Sequence, residues 1–228
     1  MKLNILHEDA QIIVCEKPAG VPSQSDRSMA IDMVSMIKNY LYEKEKVQNP
    51  YLGIVHRLDR PVGGVMVFAK TKQAAADLSR QLQTHEMNKR YYAIVNEELP
   101  LNENDEPITL KDFLLRDGKT NISKVVDRKT KDAKEAVLEY TVVEHREVEG
   151  EKCSLIDVHL LTGRHHQIRV QTAAHLGGIW GDTKYNEKFK NRRGWSKIAL
   201  YSYYLTFKHP GLKKTVEFTC KPTEFPFS

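Results

Sequence analysis

No stretch of this 228-residue chain approaches the roughly 20 consecutive apolar residues that a membrane-spanning helix needs. Its opening residues, MKLNILHEDAQIIVCEKPAG, lack a basic region leading into an apolar run and a small-residue cleavage site, so no secretory leader is read there. Cysteine is scarce. Cys15, Cys153 and Cys220 are odd in number and far apart, which argues against both a disulfide framework and a cysteine-held zinc site. Internal repeats and low-complexity tracts are missing too, and a composition of 40% hydrophobic and 29% charged residues excludes a disordered or fibrous chain. These absences lead to the expectation of a soluble cytoplasmic protein, monomeric and without a membrane partner. The length suffices to bury a sizeable core, as one domain or two intimate lobes.

Positive charge is in slight surplus, +5 net. So small an excess does not establish a nucleic-acid partner, but its distribution is informative. Lys184, Lys188, Lys190, Arg192, Arg193 and Lys197 crowd one stretch, with Tyr185, Phe189 and Trp195 between them. Cations that meet phosphates and rings that stack on bases suit single-stranded RNA. A solvated surface loop would carry the same charges.

Along the chain, residues 3–17 read as strand, turn and strand. Ile31, Val34, Ile37 and Leu41 recur at helical spacing within 29–45, and Asn49-Pro50 ends that element. Residues 65–69 form an apolar strand after Gly63-Gly64. Thr71 is suited to cap a helix running from Lys72 to about Glu86, with Ala75, Leu78 and Leu82 on one face. Residues 90–95 alternate and are rich in strand formers. The acidic, Pro- and Asn-rich segment 96–108 marks a boundary between lobes, approximately 1–98 and 109–228, of a single domain spanning 1–228. A polar, irregular excursion with short strands is expected from there to about Lys134. Strands follow at 136–143 and 153–161, then a helix at 167–176 and a strand at 198–208. Many strands with few helices predict an α+β fold on a largely antiparallel sheet.

Three segments hold groups suited to chemistry. Asp59 lies in His56-Arg57-Leu58-Asp59-Arg60-Pro61, on a constrained loop ahead of Gly63-Gly64. Positive neighbours favour its ionised form, and a fixed carboxylate suits attack on carbon. A local surface salt bridge would use the same residues. In Thr162-Gly163-Arg164-His165-His166-Gln167-Ile168-Arg169, a glycine turn leads into a helix start with Arg and His beside it, a natural cradle for phosphate. The rival reading is zinc on His165, His166 and His175, although adjacent histidines on a helix diverge and no metallohydrolase Glu is spaced for it. In Lys89-Arg90-Tyr91-Tyr92-Ala93, strand alternation sends the two tyrosines to opposite faces, where either can be plain core packing.

Together, HRLDR at 56–60, KRYYA at 89–93 and TGRHHQIR at 162–169 resemble the signature segments of RluA-type pseudouridine synthases. EKPAG at 16–20, GD at 181–182 and HP at 209–210 are supporting matches, so the resemblance runs from about residue 3 to 222. It implies the pseudouridine synthase catalytic fold: α+β, two lobes around a largely antiparallel mixed sheet, with a central active-site cleft. It further implies an enzyme that isomerises uridine in an rRNA or tRNA stem-loop after flipping the base out of its stack, without cofactor or metal. Asp59 is implied to be the nucleophile, at the ribose C1′, through a glycal, or at uracil C6. Tyr91 is implied to stack on the target base and assist proton transfer, and Arg169 to pair with Asp59. Arg60 matches a group that fills the gap left by the flipped base. His56, Arg57, Arg164, His166 and Gln167 are expected to shape the site or grip the RNA backbone, with Lys190, Arg192 and Arg193 as further RNA contacts.

Two departures stand out. Pro61-Val62-Gly63-Gly64 replaces the Thr-Ser-Gly that often follows HRLDR-x, and the chain begins directly in the catalytic region, unlike members with an added N-terminal RNA-binding domain. Two rivals come from other classes. A non-catalytic RNA-binding or ribosome-assembly protein could use the same fold. A hydrolase with paired carboxylates would need a second acid, where Asp59 has basic neighbours instead.

Overall fold

Eleven strands and three helices appear among the described residues, 3–25, 30–102, 106–192 and 197–228, of a computed structural model. The chain starts with β1 (Asn4–Glu8), β2 (Ile12–Lys17), α1 (Met33–Glu45), β3 (Gly53–Ile54), β4 (Gly63–Ala69) and α2 (Lys72–Gln83). Then come β5 (Asn88–Val95), β6 (Ile108–Asp117), β7 (Ile122–Val126), β8 (Lys134–Val148) and β9 (Glu151–Leu160). The last elements are α3 (Gln167–His175), β10 (Leu200–Lys208) and β11 (Thr215–Thr219). The predominance of strands agrees with the α+β expectation. Two compact units form: Met1–Asn88 with Ser202–Pro222, and Lys89–Tyr201 with Thr223–Ser228. Among the described residues no helix is long and apolar enough to cross a membrane.

In the first unit the strand order is β1-β2-β4-β10, with β3 on β4 and β11 on β10. β1 with β2, β2 with β4, β3 with β4 and β10 with β11 are antiparallel. β2 and β4 are nearly continuous apolar runs because both faces are covered. Ile12, Val14, Val65 and Val67 meet Ala74, Leu78, Leu205 and Phe207 in one core cluster. Gly64 has φ +125°, and a Cβ there would lie 2.2 Å from the Ser202 carbonyl oxygen. Only glycine fits that close approach.

Both helices depart from the expected faces. Asp32 caps α1 by accepting from the Ser35 N–H, which leaves Ile31 outside the helix and 72% exposed. Met33, Ile37 and Leu41 form the buried stripe instead. Residue 29 of the expected span lies outside the described residues. Thr71 does cap α2, accepting from the Ala74 N–H, and the helix ends at Gln83 rather than Glu86. Its inner face is Ala74, Leu78 and Gln81, with Ala75 and Leu82 only half-buried. Gln81 replaces a hydrophobe because its amide both donates to the Lys208 carbonyl (2.7 Å) and accepts from the Lys208 N–H (2.8 Å).

In the second unit the order is β5-β9-β8-β6-β7, antiparallel throughout. Residues 103–105, inside the acidic connection, lie outside the described residues. The stretch expected to be irregular up to about Lys134 instead contains the ten-residue β6 and a hairpin to β7. Its polar composition hid it: of β6 only Leu114 is buried, joining Ala136 and Val170 in a small core against α3. β8 and β9 are longer than expected and turn through Glu149 and Gly150, both at positive φ, as a tight two-residue hairpin requires.

Candidate active site

Asp59 sits on a loop whose neighbours are pinned on both sides. Leu58 donates its N–H to Ser23 Oγ (3.1 Å) and accepts the Ser23 hydroxyl proton at its carbonyl (2.8 Å). The Arg60 carbonyl accepts from the Gly20 N–H (2.8 Å), and Arg60 Nε donates back to the Gly20 carbonyl (3.0 Å). A turn closes beneath the carboxylate through the Val62 N–H and the Asp59 carbonyl, 3.0 Å apart. Residues 18–23 thus act as a mould for residues 58–62. With Leu58, Arg60 and Val62 all held, the backbone fixes the Cα–Cβ direction of the half-buried Asp59.

Lys17 completes the mould. Its side chain is fully buried, and Nζ reaches the carbonyls of Pro18 (3.1 Å), Val21 (2.6 Å) and Arg60 (3.1 Å). Burial pushes its pKa down to about 7, opposed by the nearby Asp59 carboxylate. Three carbonyl oxygens match the three protons of an ammonium. The segment EKPAG therefore contains the residue that ties the 16–21 turn to the Asp59 loop, and Ser23, two positions beyond that turn, carries no recognisable sequence signal.

The other residues of HRLDR have different surroundings. His56 is buried, and its Nε2 accepts from the Val67 N–H on β4 (3.2 Å). That bond makes it a strut between loop and strand. Arg57 and Arg60 are exposed.

On β5, Lys89, Tyr91 and Ala93 are buried while Arg90 and Tyr92 are half-buried, the alternation read from the sequence. Tyr91 is 6% exposed. Lys89 is buried beside it, which lowers its pKa, and lies against Gly163, where a Cβ would come within 3.8 Å of Nζ. On the opposite face Arg90 makes a two-point ion pair with Asp157 (3.1 and 3.0 Å).

Gln167 organises the start of α3. Its Oε1 accepts from the Arg164 N–H (2.9 Å) and the Thr162 hydroxyl (2.8 Å), and its Nε2 donates to the Val137 carbonyl (3.1 Å). It is 3% exposed, so it shapes the turn rather than offering a surface to a ligand. Arg164 is exposed, with Nε on the Glu135 carbonyl (2.7 Å). Arg169 is 4% exposed and engages Asp182 through Nε and Nη2, both at 2.7 Å. Asp182 had been legible only as part of the GD match. Tyr185 lies under the Arg169 guanidinium, 5.2 Å from ring centroid to Cζ.

His166 takes a left-handed conformation (φ 53°) at the N-cap of α3. Its Nδ1 meets the Tyr185 hydroxyl at 2.7 Å, and its ring lies 3.8 Å from that of His165. Burial drives its pKa down to about 2, helped by Arg169, His165 and Lys184 and opposed by Asp182. It is a neutral imidazole at working pH.

In the basic stretch, four of the described cations have acidic partners. Lys188 pairs with Glu151, Lys190 with Glu187, Arg192 with Glu149 (3.1 Å) and Lys197 with Glu224 (2.7 Å). Arg193 and Trp195 lie outside the described residues. Phe189 is not an exposed stacking platform: it is 4% exposed and packs edge-on against Trp180, 5.1 Å between centroids. Arg192 covers it from above at 4.7 Å.

The zinc reading on His165, His166 and His175 does not gather. His175 bonds Asp112 (3.1 Å), and His165 and His166 face Ser123 and Tyr185. Among the described residues the one group of three possible metal ligands is His7, Asp9 and His209. There, His209 Nδ1 accepts from the Gly211 (3.1 Å) and Leu212 (3.0 Å) N–H groups. Those bonds occupy the Nδ1 lone pair and leave the ring proton on Nε2, the atom 2.8 Å from Asp9 Oδ2 that a metal would need, so the donor chemistry does not favour an ion there.

Residues 11–174 match the family model described as RNA pseudouridylate synthase. The chain is 30% identical over 228 residues to a tRNA pseudouridine synthase C of Haemophilus ducreyi, covering 92% of this chain and 87% of that protein. It is 32% identical to an uncharacterized RNA pseudouridine synthase of Mycoplasma pneumoniae, covering 95% of this chain and spanning 65% of that protein's length. A ribosomal large subunit pseudouridine synthase D of Vibrio cholerae is 30% identical, with 96% and 67% covered. Among solved structures, human RNA pseudouridylate synthase domain containing 4 superposes with a TM-score of 0.76 at 22% identity, over 97% of this chain and 89% of that one.

Proposed function

Since the chain belongs to the RNA pseudouridylate synthase family, we propose that it isomerises uridine in a structured rRNA or tRNA to pseudouridine, with Asp59 as the nucleophile and no cofactor. The observation that carries this reading is the mould around Asp59: two flanking residues held by five hydrogen bonds from Lys17, Gly20 and Ser23. So much backbone constraint on one half-buried carboxylate suits a reacting group that must arrive in a fixed direction.

The reaction breaks the N1–C1′ bond, joins C5 to C1′, sends the C5 proton to solvent and leaves a proton on N1. Nothing is oxidised or lost, so side chains suffice. The carboxylate of Asp59 serves either by attack on C1′ or by withdrawal of a sugar proton on the way to a glycal. Tyr91, on the buried face of β5, stacks on the extruded uracil and helps to move its proton. Arg169 supplies positive charge, its orientation set by Asp182. The uridine leaves its stack before reacting, at a cost of about a few kcal/mol, which favours loop targets over duplex.

The test is Asp59→Asn on tRNA and rRNA transcripts carrying tritium at uracil C5, together with pseudouridine mapping of cells with and without the protein. Tritium release and one or more mapped sites are expected to disappear in the variant while its melting temperature holds. Appreciable turnover by Asp59→Asn rules out the nucleophile. Transcripts that bind but never lose tritium with the wild-type protein point to an RNA binder on this fold.

A further inference from the structure

Two buried lysines in this chain have opposite surroundings. Lys17 gives its ammonium protons to three carbonyls. Lys89, 8% exposed, has no such outlet: among the described residues its Nζ makes neither a hydrogen bond nor an ion pair. Burial lowers its pKa, and no neighbouring charge opposes that. The stem is covered, yet Nζ is not sealed from solvent. An ammonium so placed is costly unless a counter-charge meets it, and the described residues offer none.

Gly163 supplies the other half. Among the described residues, a Cβ there would have Lys89 Nζ as its only neighbour within 4 Å beyond the adjoining residues, at 3.8 Å, an ordinary contact. Its φ is not positive either. Neither packing nor backbone conformation therefore demands glycine at 163, in contrast to Gly64. The missing side chain leaves open space beside the ammonium, at the turn where Arg164 donates its N–H to Gln167. Glycine's remaining use is to let another molecule approach the backbone closely.

We propose that Lys89 and the Gly163 backbone form a phosphate site, in which Nζ binds a phosphodiester oxygen of the RNA beside the nucleotide whose base meets Tyr91. The choice of phosphate follows from charge. A uracil carbonyl would accept a hydrogen bond from Nζ and leave the ammonium uncompensated, whereas a phosphodiester brings the missing negative charge. Lys89 and Tyr91 share the buried face of β5. They stand two residues apart, about 6–7 Å along the strand, a spacing that suits a base and its own phosphate. The site rests on the pseudouridine synthase reading for its ligand being RNA.

Two variants test it on unmodified tRNA and rRNA transcripts. Lys89→Met keeps the stem and removes the charge, and Gly163→Ala fills the space beside Nζ without straining the chain. Lys89→Met is expected to weaken binding about ten- to a hundredfold, the worth of one charge-assisted hydrogen bond. The salt dependence of Kd is expected to become shallower by about 0.7, the mark of one lost phosphate contact to single-stranded RNA. Tritium release at subsaturating RNA falls in step. Without RNA, the urea midpoint of Lys89→Met holds or rises, because an unpaired buried charge has gone. Gly163→Ala keeps its midpoint and loses affinity. A lysine that serves the fold gives the reverse, a lower midpoint in Lys89→Met with wild-type affinity, and that overturns the proposal. Weaker binding with an unchanged salt slope overturns it too, since Nζ then meets a neutral group. So does wild-type affinity in Gly163→Ala. Should Lys89→Met fail to fold, Gly163→Ala and the salt slope of Lys89→Gln decide. If wild type releases no tritium while both variants lose affinity and Lys89→Met loses slope, the phosphate site stands and the pseudouridine synthase reading falls.

Discussion

Arg169 and Asp182 hold each other in a two-point ion pair, with side chains 5% and 0% exposed. Asp182 Oδ1 also accepts from the Lys184 (2.9 Å) and Tyr185 (3.3 Å) N–H groups, so one carboxylate fixes both α3 and the loop after it. Removing one partner of such a pair strands a buried charge. Asp182→Asn is expected to cost about 3–5 kcal/mol in urea unfolding, and Arg169→Lys does not rescue because an ammonium lacks the planar fork. A loss under about 1 kcal/mol, within the range of exposed pairs, would show that Arg169 finds its orientation elsewhere.

Lys17 makes a prediction about pH. Its folded pKa is about 7, while an unfolded lysine titrates near 10.4. Between those values the unfolded chain holds a proton that the folded chain has released, so this residue's contribution to stability rises with pH. Below pH 7 both states are protonated and the contribution is flat. The gap in unfolding free energy between wild type and Lys17→Met is therefore expected to widen from pH 7 to 10, other ionisations cancelling in the difference. A gap independent of pH would mean that the three carbonyls hold the ammonium at its ordinary pKa.

His166 makes the acid-side counterpart. Its folded pKa is about 2 against about 6.5 unfolded, so the unfolded chain gains a proton that the folded chain refuses. Stability present above pH 6.5 is lost as pH falls below it. His166→Gln, neutral at every pH, is expected to flatten the fall in urea midpoint between pH 6.5 and 4.5. An identical slope in wild type and variant would place the acid sensitivity on other groups.

These groups differ in how far the sequence reveals them. Asp59, Tyr91 and Arg169 stand out because HRLDR, KRYYA and TGRHHQIR are contiguous, and β2, β4 and β5 because apolar strands announce themselves by pattern. The mould around Asp59 is visible only in part, since Ser23 is 35 residues from the backbone it holds. The hairpin of β6 and β7 was hidden because its residues are mostly polar and its stability comes from ladders on both sides of β6. Ser123 bonds residues on a later part of the chain and Asp182 pairs with Arg169 on the preceding helix, contacts that no local periodicity encodes. Gln81 inverts the usual signal: it faces inward because the Lys208 backbone satisfies it.

The basic stretch yields a prediction from its acids. Glu149 pairs with Arg192 and Glu187 with Lys190, so an RNA phosphate that reaches this stretch competes with carboxylates already in place. Exposed pairs of this kind are weak, typically about 0.2–1 kcal/mol, and phosphate can displace them. Replacing both acids, as Glu149→Gln with Glu187→Gln, removes the competitor and two negative charges while leaving Arg192 covering Phe189. Affinity for unmodified tRNA transcripts is expected to rise, and the salt dependence to steepen by about 0.7 for each added contact to single-stranded phosphate. If Lys190 and Arg192 touch no RNA, the affinity gain is only the small, long-range effect of net charge and fades with added salt. The slope, more than the affinity, therefore separates a binding surface from a solvated loop.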